Sequence, residues 1–241
     1  MKRLLTTLTH KWPEYLLEIL VLIIGIYGAF ALESWKENRK EQEEILNYIQ
    51  SIKKDIEADH TLFEQISQTL NEQISAGAYI IPILESKHPV IDDSLKFILN
   101  FNDLTGGPII SQQTNTWDYV NSSGVISKIN DQQLTDQLQF YYREYDFLVE
   151  NFNQSAVPPR LEIRRLKYEL MEDKELKKFF PTTHPIAPSP EVYQNIFDDK
   201  RILPLCRFIG SGSAIYFEGE FQKINDYCLE LLQYLESTYP Q

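Results

Sequence analysis

The sequence is short of the residues that bind metals or form disulfides, with only two cysteines and four histidines. Cys206 and Cys228 lack the spacing of metal ligands and have apolar neighbours, which predicts free, buried thiols. A disulfide stays open as an alternative if this part of the chain lies outside the cytoplasm. No histidine has a second ligand at helical spacing, so we predict neither a metal site nor a cofactor.

Signatures of catalysis are also lacking, including the Gly-x-Ser-x-Gly motif and a true phosphate loop. The nearest approach to such a loop is residues 210–213, Gly-Ser-Gly-Ser, just before a predicted helix. The first amides of that helix could hold an anion, but a flexible entry into the helix is the preferred interpretation. The acidic pairs Asp92-Asp93 and Asp198-Asp199 lie beside turn signals, which predicts helix caps or solvated charge. We therefore predict that the protein is not an enzyme.

Positive charge is scarce, because 35 acidic residues outnumber 23 basic ones and the net charge is −12. Residues 1–32 hold three basic residues and two acids and carry +1, so the rest of the chain carries −13. An acidic body repels nucleic acid, so we expect no DNA or RNA partner. A hydrophobic content of 43% and an aromatic content of 12% exclude a disordered chain.

One long hydrophobic run is present, from Leu16 to Leu32, and its single charged residue is Glu18. As a helix it covers roughly 25 Å, the low end for crossing a bilayer. Trp12 and Tyr15 precede the run and Trp35 follows it, as aromatic residues do at both headgroup regions. We predict a short tail over residues 1–15, a transmembrane helix over residues 16–34 and a soluble helical domain over residues 35–241.

A cleaved signal peptide is the main alternative for this segment. The basic residues near the N-terminus and the sequence Ala29-Phe30-Ala31 fit such a peptide. Against it, Glu14 and Glu18 lie where a signal peptide has no acid, and helix-forming residues continue past Trp35. Glu18 itself has two interpretations: an acid placed in the membrane for function, or a side chain that reaches back to the nearby aqueous edge.

Two stretches of the sequence resemble parts of a known family. The first consists of residues 18–26 (EILVLIIGI), Ala29 and residues 35–40 (WKENRK); the second consists of residues 117–124 (WDYVNSSG), followed by Leu134, Leu138, Tyr141 and Tyr142. They are similar to a family of Gram-negative bacterial membrane proteins known only as a domain of unknown function. The resemblance implies an anchored helical protein without an assigned activity or site residues. Glu33-Ser34 departs from the asparagine-like residues expected before Trp35.

The basic residues that flank the run decide its orientation only weakly. Three precede it and three follow it: Lys2, Arg3 and Lys11, then Lys36, Arg39 and Lys40. Cytoplasmic flanks are usually the more basic ones, and here the two flanks are nearly equal. A short N-terminal tail before an apolar segment favours a cytoplasmic N-terminus. We therefore predict a single-pass protein of the bacterial inner membrane with its soluble domain in the periplasm.

Apolar residues at alternating steps of four and three predict three helices with a packed seam. The seams are Ile45, Ile49, Ile52, Ile56, Phe63, Ile66 and Leu70, interrupted by Asp59; Leu134, Leu138, Tyr141, Tyr145, Leu148 and Phe152; and Phe217, Phe221, Ile224, Cys228, Leu231 and Leu235. The first helix is predicted to span residues 15–86. The second starts at Asn130 or Asp131, has its face widened by residues 140, 147 and 149, and ends at Pro158-Pro159.

Further helices are predicted from Ser94, within residues 111–121 and over residues 161–180, with a proline-rich loop over residues 181–190. The last helix is predicted over residues 213–238, and strand signals are weak. These elements predict an all-α protein, in which the transmembrane helix continues into a long helix packed in a soluble bundle.

Two functions follow from this organisation. The first is a membrane-anchored interaction or scaffold protein, and the second is an extracytoplasmic sensor or binding domain for a small ligand. The expected partners are the lipid bilayer and either a second copy or another protein. Gly25 and Ala29 form a small-x-x-x-small pair that lets two membrane helices approach. Gly28 and Trp35 lie on the extension of the first seam, so one continuous face could pair with a second copy. Alternatively, the seam beyond Ile45 packs on the other helices of the same chain.

Overall fold

The structure, a computed structural model, describes residues 2–170 and 190–240, and all regular structure there is helical. The α-helices are α1 (Lys2–Glu85), α2 (Ser94–Thr105), α3 (Asn115–Ser122), α4 (Gln132–Asn151), α5 (Val157–Leu170), α6 (Pro190–Asp198), α7 (Ile202–Arg207) and α8 (Ala214–Thr238). A 3-10 helix covers Val125–Lys128, and π-helical turns cover Phe152–Ala156 and Phe208–Ser213. The predicted all-α class is thereby confirmed.

The chain divides into two compact units, Met1–Gln50 and Ser51–Gln241. The first unit is the N-terminal part of α1, which starts at Lys2, so the stretch expected as a tail is helical where it is described. The side chains of residues 1–11 and 13–15 lie outside the described part, and with them the flanking residues Lys2, Arg3, Lys11 and Tyr15 of the sequence analysis. From Leu16 to Trp35 the apolar side chains of this unit are exposed, whereas Ile45 and Ile49 near its end are buried.

In the second unit, the predicted seams form a core between α1, α4 and α8. The seam residues Ile52, Ile56, Phe63, Ile66 and Leu70 of α1 are at most 1% exposed. Aromatic rings join the three helices: Phe63 lies 4.8 Å from Tyr145 and 6.2 Å from Phe221 between ring centroids. The heptad-like spacing therefore predicted the buried face of these helices correctly. Each helix needs only one apolar stripe to pack in the bundle.

A second core lies where the end of α1 meets α2, α5, α6 and α7. It includes Ile80 of α1, Phe97 and Phe101 of α2, Ile163 of α5 and Ile202 of α7. Between these helices two backbones touch, since a Cβ at Gly77 would stand 2.9 Å from the Cα of Gly210. Only glycine at both positions permits that approach, which brings the π-helical turn of residues 208–213 against α1.

Most predicted helix ends agree with the structure. Asp93 caps α2 by accepting a hydrogen bond from the Lys96 amide, and Asp131 caps α4 through the Leu134 amide, at 2.9 Å each. The α3 helix is followed by Gly124, whose φ of 77° is the left-handed conformation that glycine adopts without strain. Helix α1 ends at Glu85, one residue before the expected position.

The expected stop at Pro158-Pro159 is wrong. Helix α4 passes through a π-helical turn into α5, which starts at Val157, so both prolines occupy the first turn of α5. Proline has no amide hydrogen to donate, so the helix lacks those two hydrogen bonds, and the wider π-turn makes room for the rings. The remainder of the helix expected to Phe180 and most of the proline-rich loop lie outside the described residues; Pro190 begins α6.

A second correction concerns the face of α4. Phe140 and Phe147, expected to widen the buried face, are 39% and 67% exposed. Phe140 lies six residues after the buried Leu134, and Phe147 lies five residues before the buried Phe152. At 3.6 residues per turn, these spacings turn both rings away from the buried face of the helix. Periodicity identified the seam correctly, but the extra aromatic residues belong to the surface.

Candidate functional site

The apolar part of α1 is the most distinctive surface of the first unit. From residue 16 an 18-residue window reaches a mean hydropathy of 2.1, and none of it is buried within the protein. Such a helix is long and apolar enough to cross a membrane. Leu17, Ile24 and Phe30 are 61–64% exposed, and water solvates such a continuous apolar surface poorly.

The four residues singled out from the sequence all lie on this helix. Glu18 is exposed near the start of the run, and a Cβ at Gly25 would meet nothing within 4 Å. Gly25 and Ala29 are four residues apart and share a face, whereas Trp35 lies roughly 80° around the helix from Gly25. Trp35 is 58% exposed and the guanidinium of Arg39 lies 5.8 Å from its ring centroid. Within the described chain, no other element joins them in a common site.

The seam of α1 contains a buried carboxylate that the sequence analysis treated only as an interruption. Asp59 is 0% exposed; one oxygen accepts a hydrogen bond from the Tyr141 hydroxyl at 2.9 Å and the other from the Gln113 amide at 3.3 Å. Burial raises the pKa of Asp59 to about 6, although both hydrogen bonds oppose the rise. The signal was its position, since Asp59 lies seven residues from both Ile52 and Ile66.

Tyrosines surround Asp59 on the α4 side. The hydroxyls of Tyr142 and Tyr145 and one oxygen of Asp55 are buried without a hydrogen-bond partner among the described residues. Trp117 of α3 stacks on Tyr142, with ring centroids 4.7 Å apart and planes within 8°. Burial and the charge of Asp59 raise the pKa of both tyrosines. This centre joins α1, α3 and α4 and contains one carboxyl group able to change charge near neutral pH.

A second polar centre lies around Arg160, which is 2% exposed. Its guanidinium donates to the carbonyl of Ala156 at 2.8 Å, to the Ser213 hydroxyl at 3.1 Å and to Oε1 of Gln73 at 2.7 Å. Gln73, itself fully buried, donates to the carbonyls of Leu104 and Gly106 at 3.1 and 2.9 Å. Neither residue was predicted from the sequence; Gln73 lies seven residues from Ile66 and from Ile80, inside the α1 seam.

The Gly-Ser-Gly-Ser stretch does not form an open helix entry. Residues 208–213 are a π-helical turn between α7 and α8, and the Ala214 amide donates to the carbonyl of Ile209. The chain is already helical there, so these amides are not the free first amides of a helix. The expectation of a flexible entry, and of a possible anion site at these amides, is therefore corrected.

The surface between α4 and α8 forms a groove of about 340 Å³. Its aromatic walls include Phe140 and Phe147 from α4 and Tyr216 and Tyr227 from α8. Glu144 and Lys223 stand among them, each with an opposite charge beside it in Arg143 and Glu220. Phe147 and Tyr216 remain 67% and 52% exposed, which is unusual for large aromatic side chains of one cluster.

Metal and thiol chemistry has little support in the described part of the chain. No group of three or more histidine, cysteine or acidic side chains there could hold a metal ion. Cys206 and Cys228 are free and buried, and burial raises the pKa of each thiol to about 12. A thiol with so high a pKa is a weak nucleophile at neutral pH.

Comparison of the chain with protein-family models, curated proteins and solved structures found no match. The family resemblance of the two sequence stretches therefore stays a prediction. The class that the fold defines is an all-α protein whose long first helix is apolar enough near its N-terminus to cross a membrane.

Proposed function

We propose that the protein is a membrane-anchored helical interaction or scaffold protein, without enzymatic activity. The observation that carries this proposal is the exposed apolar surface of α1 from Leu16 to Leu32, for which a lipid bilayer is the matching solvent. The same helix supplies the central seam of the bundle. A membrane helix and a folded domain thus share one continuous element, as expected of a protein that holds a domain at a membrane surface.

The groove between α4 and α8 supports a role in binding another protein. Exposed aromatic side chains with a charged rim are typical of protein contact surfaces. The proposal is tested by affinity capture from native membranes in a mild detergent. Phe147→Glu with Tyr216→Glu should remove a specifically captured protein, whereas Tyr168→Glu, at an exposed tyrosine on α5, should not. An unchanged set of captured proteins across all variants would contradict an interaction role for this groove.

The proposed location is the bacterial inner membrane, with the N-terminus in the cytoplasm and the bundle in the periplasm. The bacterial inner membrane follows from the family resemblance, and the orientation is the one expected from the sequence. A reporter that is active only in the cytoplasm, fused after Gln241, should then be silent. The same reporter fused before Met1 should be active, and the opposite pair of results would reverse the orientation.

A second function, sensing of a small ligand outside the cytoplasm, is favoured by the buried polar centre at Arg160. The guanidinium of Arg160 is 2% exposed, and its hydrogen-bond acceptors among the described residues are neutral. A bound anion would stabilise such a buried cation. Its test is whether a small anion changes the stability of the bundle. The two functions are compatible, since the groove and Arg160 involve different side chains.

A further inference from the structure

Helix α5 places three cations on one side of the helix, in a protein of net charge −12. Arg160, Arg164 and Lys167 follow one another at steps of four and three, which aligns their side chains. Arg160 is buried, Lys167 is half-buried and Arg164 is exposed. The cluster therefore runs from the interior to solvent, and its outer end is accessible.

None of the three cations is paired with a carboxylate within residues 2–170 and 190–240. The partners of Arg160 are neutral, as given above. Nε of Arg164 donates to the Thr105 carbonyl at 3.0 Å, and Nζ of Lys167 donates to Oδ1 of Asn102 at 2.5 Å and to the Thr105 hydroxyl at 2.9 Å. Burying a cation without a counter-ion costs free energy, so a nearby negative charge would stabilise this arrangement.

The C-terminal end of α2 supplies part of the negative charge that these cations need. Arg164 and Lys167 reach its last residues, and a helix C-terminus carries the equivalent of roughly half a negative charge. Asp103 also lies near enough to Lys167 to favour its charged form, without forming an ion pair. These contributions offset part of the three positive charges, and the printed contacts of Arg160 within the described residues include none of them.

Arg160 and Arg164 come together beside Gly107. The Nε of Arg160 is buried and has no hydrogen-bond partner among the described residues. A Cβ added to Gly107 would stand 3.0 Å from Cδ and 3.3 Å from Nε of Arg160, and 3.4 Å from a terminal nitrogen of Arg164. Both guanidinium groups thus pack directly against the backbone of Gly107, and the accessible end of the cluster is at Arg164 and Lys167.

Both π-helical turns of the described chain also end at this cluster. Ala156, the last residue of the first turn, and Ser213, the last residue of the second, each contact the guanidinium of Arg160. Turns of this type lose regular helical hydrogen bonds and are found often at functional sites. Both turns therefore help to position the guanidinium of Arg160.

We propose that Arg160, Arg164 and Lys167, under Gly107, form a binding site for a phosphate-like oxyanion. Guanidinium groups bind the oxygens of such an anion in pairs, and the lysine adds a compact third charge. Burial, and to a smaller extent the charge of Arg164, lower the pKa of Lys167 to about 8. A bound anion would raise that pKa again by favouring the charged form. This inference rests on the proposed sensing of a small ligand and names a phosphate-like oxyanion as that ligand. It does not depend on the proposed scaffold function.

The test uses the full chain in nanodiscs of phosphatidylcholine. Inorganic phosphate, titrated against sodium chloride of equal ionic strength, should raise the thermal midpoint of unfolding in a saturable way. Arg164→Gln should weaken the apparent phosphate affinity about tenfold or more, as loss of a charge-assisted contact does. Arg165→Gln, at the adjacent exposed residue that pairs with Glu169, is the matched control and should leave the affinity within about twofold.

Gly107→Ala is a second variant: it keeps all three cations in the sequence, but its Cβ, 3.0 Å from Cδ of Arg160, must displace the guanidinium groups. It should abolish the phosphate response. A second arm replaces free phosphate with phosphatidate in the nanodisc; a response there alone, sensitive to Arg164→Gln, identifies a lipid headgroup as the source of the oxyanion. The site is refuted if phosphate and phosphatidate act no differently from chloride, or if Arg165→Gln reduces the response as much as Arg164→Gln.

Discussion

At the scale of single residues, a few buried polar side chains help to define how the helices of the mainly apolar core pack. Asp59 and Gln73 occupy seam positions of α1 and are fully buried, yet each is bonded to groups far away in the sequence. Such hydrogen bonds fix which helices pack together and in which register, because a buried polar group left unpaired is costly.

Asp59 makes the stability of the bundle depend on pH. Its pKa in the folded protein is raised from 3.8 to about 6, so the folded state binds the proton more tightly than the unfolded state. The stabilisation by the protonated form is full below pH 3.8 and is lost as the pH rises through about 6. The loss from this one group is about 3 kcal/mol, at 1.36 kcal/mol for each pKa unit.

The measurement is urea unfolding of the full chain in detergent, followed by near-ultraviolet circular dichroism, in wild type and Asp59→Asn. The free energy of wild type should fall relative to the variant by about 2.4 kcal/mol between pH 4 and pH 7, because part of the total is already lost at pH 4. Asp226→Asn, at an exposed acid of α8, is the control and should track wild type. Parallel curves for wild type and Asp59→Asn would show that Asp59 does not titrate as proposed.

The same residues show what the sequence could predict. The alternation of steps four and three is a local pattern, so Ile52, Phe63 and their neighbours were correctly assigned to the core. The role of Asp59 depends on Tyr141, which is 82 residues away, and no local pattern reports such a partner. Its seven-residue spacing from Ile52 and Ile66 was the only available signal that it faces the core.

At the scale of elements, the helices are longer and more continuous than their prolines and glycines suggest. Residues 132–170 and 202–238 each form one helical path interrupted only by a π-helical turn. Pro158-Pro159 and the stretch 210–213 were read as breaks, because proline and glycine usually end helices. A π-turn changes the local hydrogen-bond pattern without ending the helix, and sequence alone does not distinguish these outcomes.

The contact between α1 and the turn at Gly210 gives a prediction at this scale. Gly77→Ala would place a carbon 2.9 Å from the Cα of Gly210, where backbone and not a flexible side chain must move. We expect a loss of about 2 kcal/mol in unfolding free energy, the usual cost of overpacking. Gly219→Ala in α8 is the matched control: its Cβ meets nothing within 4 Å, so the helix should gain about 0.5–1 kcal/mol. Equal effects of the two substitutions would contradict the close approach.

The apolar part of α1 gives a prediction about self-association. If Gly25 and Ala29 allow close packing with a second copy, Gly25→Ile with Ala29→Ile should weaken a dimer while keeping the span apolar. Cross-linking through Gln42→Cys, in a background with Cys206→Ala and Cys228→Ala, measures the dimer. Efficient cross-linking that falls in the double isoleucine variant supports pairing. Monomer alone at native expression means that this face does not pair with a second copy.

At the scale of the whole molecule, the chain joins an apolar helix, suited to lipid, with an acidic bundle suited to water. The fold class, the position of the apolar helix and the three seams were all predictable, because each depends on the local distribution of apolar residues. The Arg160 cluster was not predictable, because it is assembled from α1, α5, the loop at Gly107 and a π-turn near residue 213. A site of that kind appears only when distant segments are brought together.

Retention of the apolar helix in the membrane is the central claim, and carbonate extraction tests it most directly. Membranes from cells that express the chain are washed at alkaline pH, and the pellet is analysed by N-terminal sequencing and mass spectrometry. We predict that the chain stays in the pellet with the residues before Leu16 still attached, since an exposed run of this hydropathy is held by the bilayer. Release into the supernatant, or a mature N-terminus at Leu32, would contradict the account.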